Sequence, residues 1–289
     1  MHTTVRFALP VILAITIAGC AHVNSPSVAA RPADRPATIQ LSIYAGLLRS
    51  MAVTVADAAH TFIFDTGGGE TMITPEVAST IGCMPYGRTI GFRAGGEQVA
   101  FEYCDDVLLR LGDVAIAHER VGVFDFKSIL PAGAPPADGV VSLRSFRGQP
   151  VTIDLAKGRI TIETANSLAV RTRGMRPLTI RVASGPTGAE TTVYIAARVG
   201  GRRVWLLLDS GNGDPALVAP HVARMAGLMD SKGEALIEFD GLGPIRLPIR
   251  TRNMIYDGML GAAFIQDWIF TLDLGSSRAW AAPAARPRL

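Results

Sequence analysis

The stretch FIFDTGGGETMI, Phe62 to Ile73, decides how this chain is read. An apolar run, typical of a buried strand, ends on an aspartate in a glycine-rich turn. Asp, Thr and Gly are ordinary turn residues, so one occurrence says little. A second occurs in WLLLDSGNGDPALV, Trp205 to Val218. With Asp65 set on Asp209, the upstream segments MAVTVADAAHTFIFDTG and IAARVGGRRVWLLLDSG align without a gap. After one inserted residue TPEVASTIG falls on APHVARMAG, and further on DGVVSLRSFRGQPVTIDLAKGRI falls on DGMLGAAFIQDWIFTLDLGSSRA. Three blocks in the same order make the chain two copies of one unit, residues 39–165 and 176–282.

Short apolar runs punctuated by Gly, Asp and Pro predict a β-rich fold. TPEVASTIG and APHVARMAG each carry Pro in the first turn and Gly at the end, the signature of a short helix. The copies differ between Gly82 and Asp138, a stretch far longer than its counterpart from Gly227 to Asp257. The additional residues include GRTIGFRAGGEQVAFEYC, which predicts a β-hairpin with Gly95 and Gly96 at its tip. The second copy has no such long hairpin.

An apolar pair, Asp-Thr/Ser-Gly and a later Asp-Gly with two apolar residues resembles the pepsin-like and retropepsin-like aspartic proteases. DTGGGETMI with DGVVSL, and DSGNGDPAL with DGMLGA, carry the likeness over nearly all of residues 39–282. It implies an all-β fold with short helices, two tandem lobes of the acid protease type and a cleft between them. By that resemblance Asp65 and Asp209 would be the catalytic pair, activating a water for peptide-bond hydrolysis in an aspartic endopeptidase. Two carboxyls held so close share a proton and titrate together. Thr66 and Ser210 would brace the two loops, Gly67 and Gly211 would let backbone approach the carboxylates, and the hairpin would close as a flap over a peptide or protein substrate. That chemistry needs neither metal nor cofactor.

The pattern is not kept everywhere. Ser142 stands where the family has glycine and is expected to fit less well behind its loop, whereas Gly261 keeps the family residue. Tyr103 lies on the descending arm of the hairpin and not at its tip. A serine triad from His60 and Ser210 is opposed by the repeat, because His60 aligns with Val204 and Ser210 with Thr66. The alternative to a protease is a catalytically weak or inactive lipoprotein that uses the same cleft to bind a peptide or a cell-envelope fragment.

The first twenty residues join a basic start, MHTTVR, to an apolar run too short to span a bilayer, followed by Cys20. IAGC resembles a bacterial lipobox, which implies lipidation of Cys20 and a lipid-anchored protein at the periplasmic face of the outer membrane. Residues 21–38, rich in Ala, Pro and Ser, predict a flexible tether. Setting Cys20 aside leaves Cys83 and Cys104, either a disulfide or two buried thiols in an oxidising compartment. The five histidines lie far apart and no Cys/His group has metal-site spacing. A net charge of +3 with scattered arginines gives no basic stripe and so no nucleic-acid partner. The expected state is a monomer.

Overall fold

The computed structural model describes residues 35–130, 133–185, 188–228 and 232–285. The expected signal segment, Cys20 and most of the expected tether lie outside the described residues. The architecture is the expected one: mostly β with a few short helices, in two tandem barrel-like lobes. An eight-stranded sheet built from residues 42–141 forms the first lobe, and a seven-stranded sheet built from 180–260 forms the second.

The two quoted stretches occupy matching places. Strand Ala58–Phe64 is exposed at its start and buried at Phe62, Ile63 and Phe64, so burial deepens towards the loop that follows. Strand Arg202–Leu208 repeats this, ending in buried Leu206, Leu207 and Leu208. Each is paired in parallel with a three-residue strand from its own lobe, Gly139–Val141 or Gly258–Leu260. The aspartate before each of those strands is structural. Asp138 accepts from the Thr61 N–H at 2.8 Å, and Asp257 accepts from the Trp205 N–H at 2.9 Å. A short helix follows in each lobe, Pro75–Thr80 and Pro220–Met225; in the first, Thr74 caps the start by accepting from the Val77 N–H.

A six-stranded sheet joins the lobes and draws its strands from both. At its centre Val151–Asp154 runs antiparallel to Trp268–Asp273, with Thr152 opposite Thr271. These threonines are equivalent positions of the repeat, so the pseudo-twofold axis passes between them. Their buried hydroxyls meet at 2.9 Å.

The predicted hairpin consists of strands Tyr86–Phe92 and Gln98–Leu111. Arg93 and Glu97 close its tip, with the Arg93 N–H donating to the Glu97 carbonyl and the Gly96 N–H to the Arg93 carbonyl. A disulfide joins Cys83 to Cys104, so the paired part of the hairpin, from Tyr86 to Tyr103, lies inside one covalent loop stapled at its base.

Candidate functional site: the cleft between the lobes

The two aspartate loops meet across the axis. Both loops follow strands that end in the core, and each sends a hydroxyl into the other. The Thr66 hydroxyl donates to the Leu208 carbonyl at 2.7 Å and accepts from the Ser210 N–H at 2.9 Å. The Ser210 hydroxyl donates to the Phe64 carbonyl at 3.0 Å and accepts from the Thr66 N–H at 3.0 Å. All four bonds are buried. They fully engage Ser210, while His60 stands instead beside Asp138, at 3.5 Å. Ser210 and His60 thus belong to separate hydrogen-bonding groups and form no triad.

This brace sets Asp65 and Asp209 against each other. Each carboxylate accepts from the glycine N–H two residues on, Gly67 to Asp65 at 2.8 Å and Gly211 to Asp209 at 3.0 Å. The glycines also lean on the opposite carboxylate. A Cβ on Gly67 would come within 2.5 Å of Asp209 Cγ, and one on Gly211 within 2.5 Å of Asp65 Oδ2. No side chain fits in either place. Burial raises the affinity of both carboxyls for a proton, and for Asp209 the charge of Asp65 adds to it. The pair behaves as a unit that keeps a proton above the ordinary carboxylate range. It offers one O–H donor and several acceptor lone pairs at the floor of the cleft.

Behind the first loop, Ser142 departs from its expected poor fit. Its hydroxyl donates to the Gly69 carbonyl at 3.0 Å and accepts from the Arg144 N–H at 3.2 Å, capping a turn of 3-10 helix. Thr71, Ser145 and His118 continue the network, with Thr71 Oγ1 to Ser145 Oγ at 2.7 Å and Ser145 Oγ to His118 Nε2 at 3.1 Å. Burial holds His118 neutral, its pKa lowered to about 3. At the equivalent position of the second lobe, a Cβ on Gly261 would sit 2.0 Å from the Asp214 carbonyl oxygen. The serine is built into one lobe and excluded from the other.

Sequence reading missed Glu70. It is buried beside the loop, accepts from the Tyr103 hydroxyl at 3.3 Å and, through burial, holds its proton more tightly than an ordinary glutamate. The Arg120 guanidinium lies 4.5 Å above the Tyr103 ring. A charged residue directly after three glycines and before a buried strand was the signal available. Residues 188–191 also cross to this loop: Thr191 N–H donates to the Gly69 carbonyl, and Arg144 and Arg147 both donate to the Gly188 carbonyl.

The flap touches both lobes. Its tip reaches the opposite lobe, where the Ile255 N–H donates to the Ala94 carbonyl at 2.9 Å. Gly95 and Gly96 sit at the tip as expected, and a Cβ on Gly96 would lie 3.3 Å from Ile255 Cγ2. Among the described residues no cluster of His, Cys, Asp or Glu could hold a metal ion, and no helix is long and apolar enough to cross a membrane.

Fold and cleft define a two-lobed protein with a pseudo-symmetric acid pair under a single flap. Solved structures of this fold include the basic 7S globulin of soybean, with 11% identity, a TM-score of 0.54 and coverage of 86% of this chain and 94% of that one. They also include conglutin gamma, a basic 7S globulin from lupine seeds, at 10% identity and a TM-score of 0.56, over 86% of this chain and 95% of that one. No family model and no curated protein matches the chain. These findings correct two expectations. Membership of the aspartic protease family and activity as an aspartic endopeptidase, both inferred from the motifs, give way: the likeness found leads to globulins, with no protease model behind it.

Proposed function

We propose that this protein is a non-catalytic binding protein that holds a peptide, free or part of a cell-envelope fragment, in the cleft between its lobes. The observation that carries the reading is the geometry of Asp65 and Asp209, set against each other by the buried Thr66–Ser210 brace with each carboxylate close to the glycine of the opposite loop. A peptide unit needs one donor for its carbonyl and one acceptor for its N–H, and a half-protonated carboxyl pair supplies both. The soybean and lupine structures share the fold and are globulins, and no protease family model matches the chain. The lipobox-like IAGC supports lipidation at Cys20 and residence at the cell envelope, where envelope peptides are at hand.

The test incubates the purified full-length chain, in mild detergent, with a mixed peptide library across acidic to neutral pH. Retained and released peptides are then identified by mass spectrometry. The proposal expects a subset retained intact, and retention weakened in Asp209→Asn. Cleaved products that disappear in Asp209→Asn would overturn it, and so would the absence of any retained peptide.

A further inference from the structure

The outer face of the second lobe carries arginines that the first lobe lacks. Strand Thr192–Val199 runs between Ile180–Ala183 and Arg202–Leu208, and the register sets Arg181 opposite Tyr194 and Arg198 opposite Arg203. With Asp209 set on Asp65, Arg198, Arg203 and Trp205 fall on Thr54, Ala59 and Thr61. The same backbone in the first lobe presents small neutral side chains there, so the fold does not require the cations. It opposes them, because like charges directly across an antiparallel pair repel. Asp240 pairs with Arg203 at 3.0 Å. Glu238 stands opposite Arg198 in the register of strand Lys232–Phe239 but forms no ion pair with it. Arg181 and Arg198 are exposed and make no ion pair among the described residues.

Trp205 orders the group. The Arg181 guanidinium lies 3.9 Å from the centre of its ring and that of Arg203 lies 6.0 Å from it. Stacking on an indole holds a guanidinium in place and leaves its N–H edge for another partner. Leu236, 47% exposed, continues the face two residues from Glu238 and stands opposite exposed Arg246. We infer that Arg181, Arg198 and Arg203, ordered on Trp205, are a docking site for the phosphate groups of anionic lipids, and that it holds the second lobe against a membrane surface. A phosphodiester presents two free oxygens that share one negative charge, which suits the fork of an arginine. Trp205 and Leu236 beside the cations suit the boundary between headgroups and acyl chains, where amphipathic surfaces settle. The N-terminal segment favours a bilayer over a soluble anion. Residues 21–34 separate Cys20, the lipidation site proposed above, from Arg35, and fully extended they span about 50 Å. An anchor on so short a lead keeps the lobe close to the surface. This docking rests on that anchoring and not on the peptide-binding reading of the cleft.

The experiment reconstitutes the full-length protein, through its N-terminal segment, into vesicles of phosphatidylcholine alone or of phosphatidylcholine mixed with phosphatidylglycerol. Acrylamide quenching reads the exposure of Trp205, with Trp205→Phe as the blank for the other two tryptophans. We expect quenching to fall about threefold on the mixed vesicles, to stay high on phosphatidylcholine, and to return in high salt. Arg181→Gln combined with Arg198→Gln removes two exposed cations that make no ion pair, so the fold should stand and the protection should vanish. Arg88→Gln combined with Arg93→Gln takes the same charge from the first lobe and should leave the protection in place. Equal quenching on the two kinds of vesicle overturns the docking. Equal loss in the two double variants overturns the site, since net charge alone would then be acting. Glycerol phosphate added to the phosphatidylcholine sample tests the other source of the same group, and protection by it overturns the bilayer as partner. No peptide enters the assay, so its failure and that of the cleft reading are told apart.

Discussion

Thr66→Val keeps the volume of the side chain and deletes only its hydroxyl, at a position with no exposed surface. Two backbone groups then lose their partner together: the Ser210 N–H, whose bond is 2.9 Å, and the Leu208 carbonyl, whose bond is 2.7 Å. Ser210 is 1% exposed and Leu208 fully buried, so water cannot replace the hydroxyl without moving the loops. Each buried group left unpaired costs about 1–3 kcal/mol, which places the loss at about 2–6 kcal/mol before a small gain from burying the new methyl. We expect about 3 kcal/mol in equilibrium urea unfolding followed by tryptophan fluorescence. Thr66→Ser keeps the hydroxyl and should lose less than about 1.5 kcal/mol, the price of a methyl group. Ser210→Ala strips the Thr66 N–H and the Phe64 carbonyl in the same way. Since all four bonds hold one pair of loops in register, the double variant should lose less than the sum of the singles. Equal stability of Thr66→Val and Thr66→Ser would refute the brace as a source of stability.

The remaining predictions concern other parts of the cleft. Gly261→Ser puts a Cβ 2.0 Å from a carbonyl oxygen and should abolish folding or cost several kcal/mol, whereas Ser142→Gly should cost about 1–2 kcal/mol from the lost hydroxyl hydrogen bonds to Gly69, Arg144 and Thr71 and from added chain freedom. Thermal melts of the two variants should rank in that order, and the reverse order would show that the loops are not packed as described. Because the acid pair has a raised proton affinity when folded, the native state keeps a proton that the unfolded chain has already released. Its contribution to stability therefore falls as pH climbs from the ordinary aspartate range through the raised native value, by at most about 1.4 kcal/mol per pH unit for one proton. Asp209→Asn should flatten that fall, so parallel melting curves against pH for parent and variant would contradict it. Replacing Cys83 and Cys104 by Ala should cost about 3 kcal/mol, the value for a loop of this length, and should speed hydrogen exchange along Tyr86–Phe92.

Much of this was legible because the repeat carries its own check. Asp65 and Asp209 stand out only when their contexts are superposed, and the same superposition places the flap in one lobe and fixes Thr152 against Thr271. The hidden parts depend on contacts between segments distant in the chain. Ser142 reads as a misfit until Gly69, Thr71 and Arg144 are seen around its hydroxyl. Glu70 reads as a turn residue until Tyr103 arrives from the flap. The bond from Ile255 to Ala94 joins two loops with no periodicity, so no local pattern announces it. The motif resemblance went furthest astray in function, because an aspartate loop records how two carboxyls are held and not what is done with them.

The central pairing of the shared sheet bears on what half of this chain would do alone. A chain ending after the first copy would leave Val151–Asp154 with one side unpaired, since the strand it needs is Trp268–Asp273. Such an edge recruits whatever complementary strand is available. The missing strand is the repeat's own version of the one that lacks it, meeting it threonine to threonine. A second copy of the half-chain offers the same backbone in the same antiparallel sense, so the severed lobe is an adhesive surface whose best-matched partner is another severed lobe.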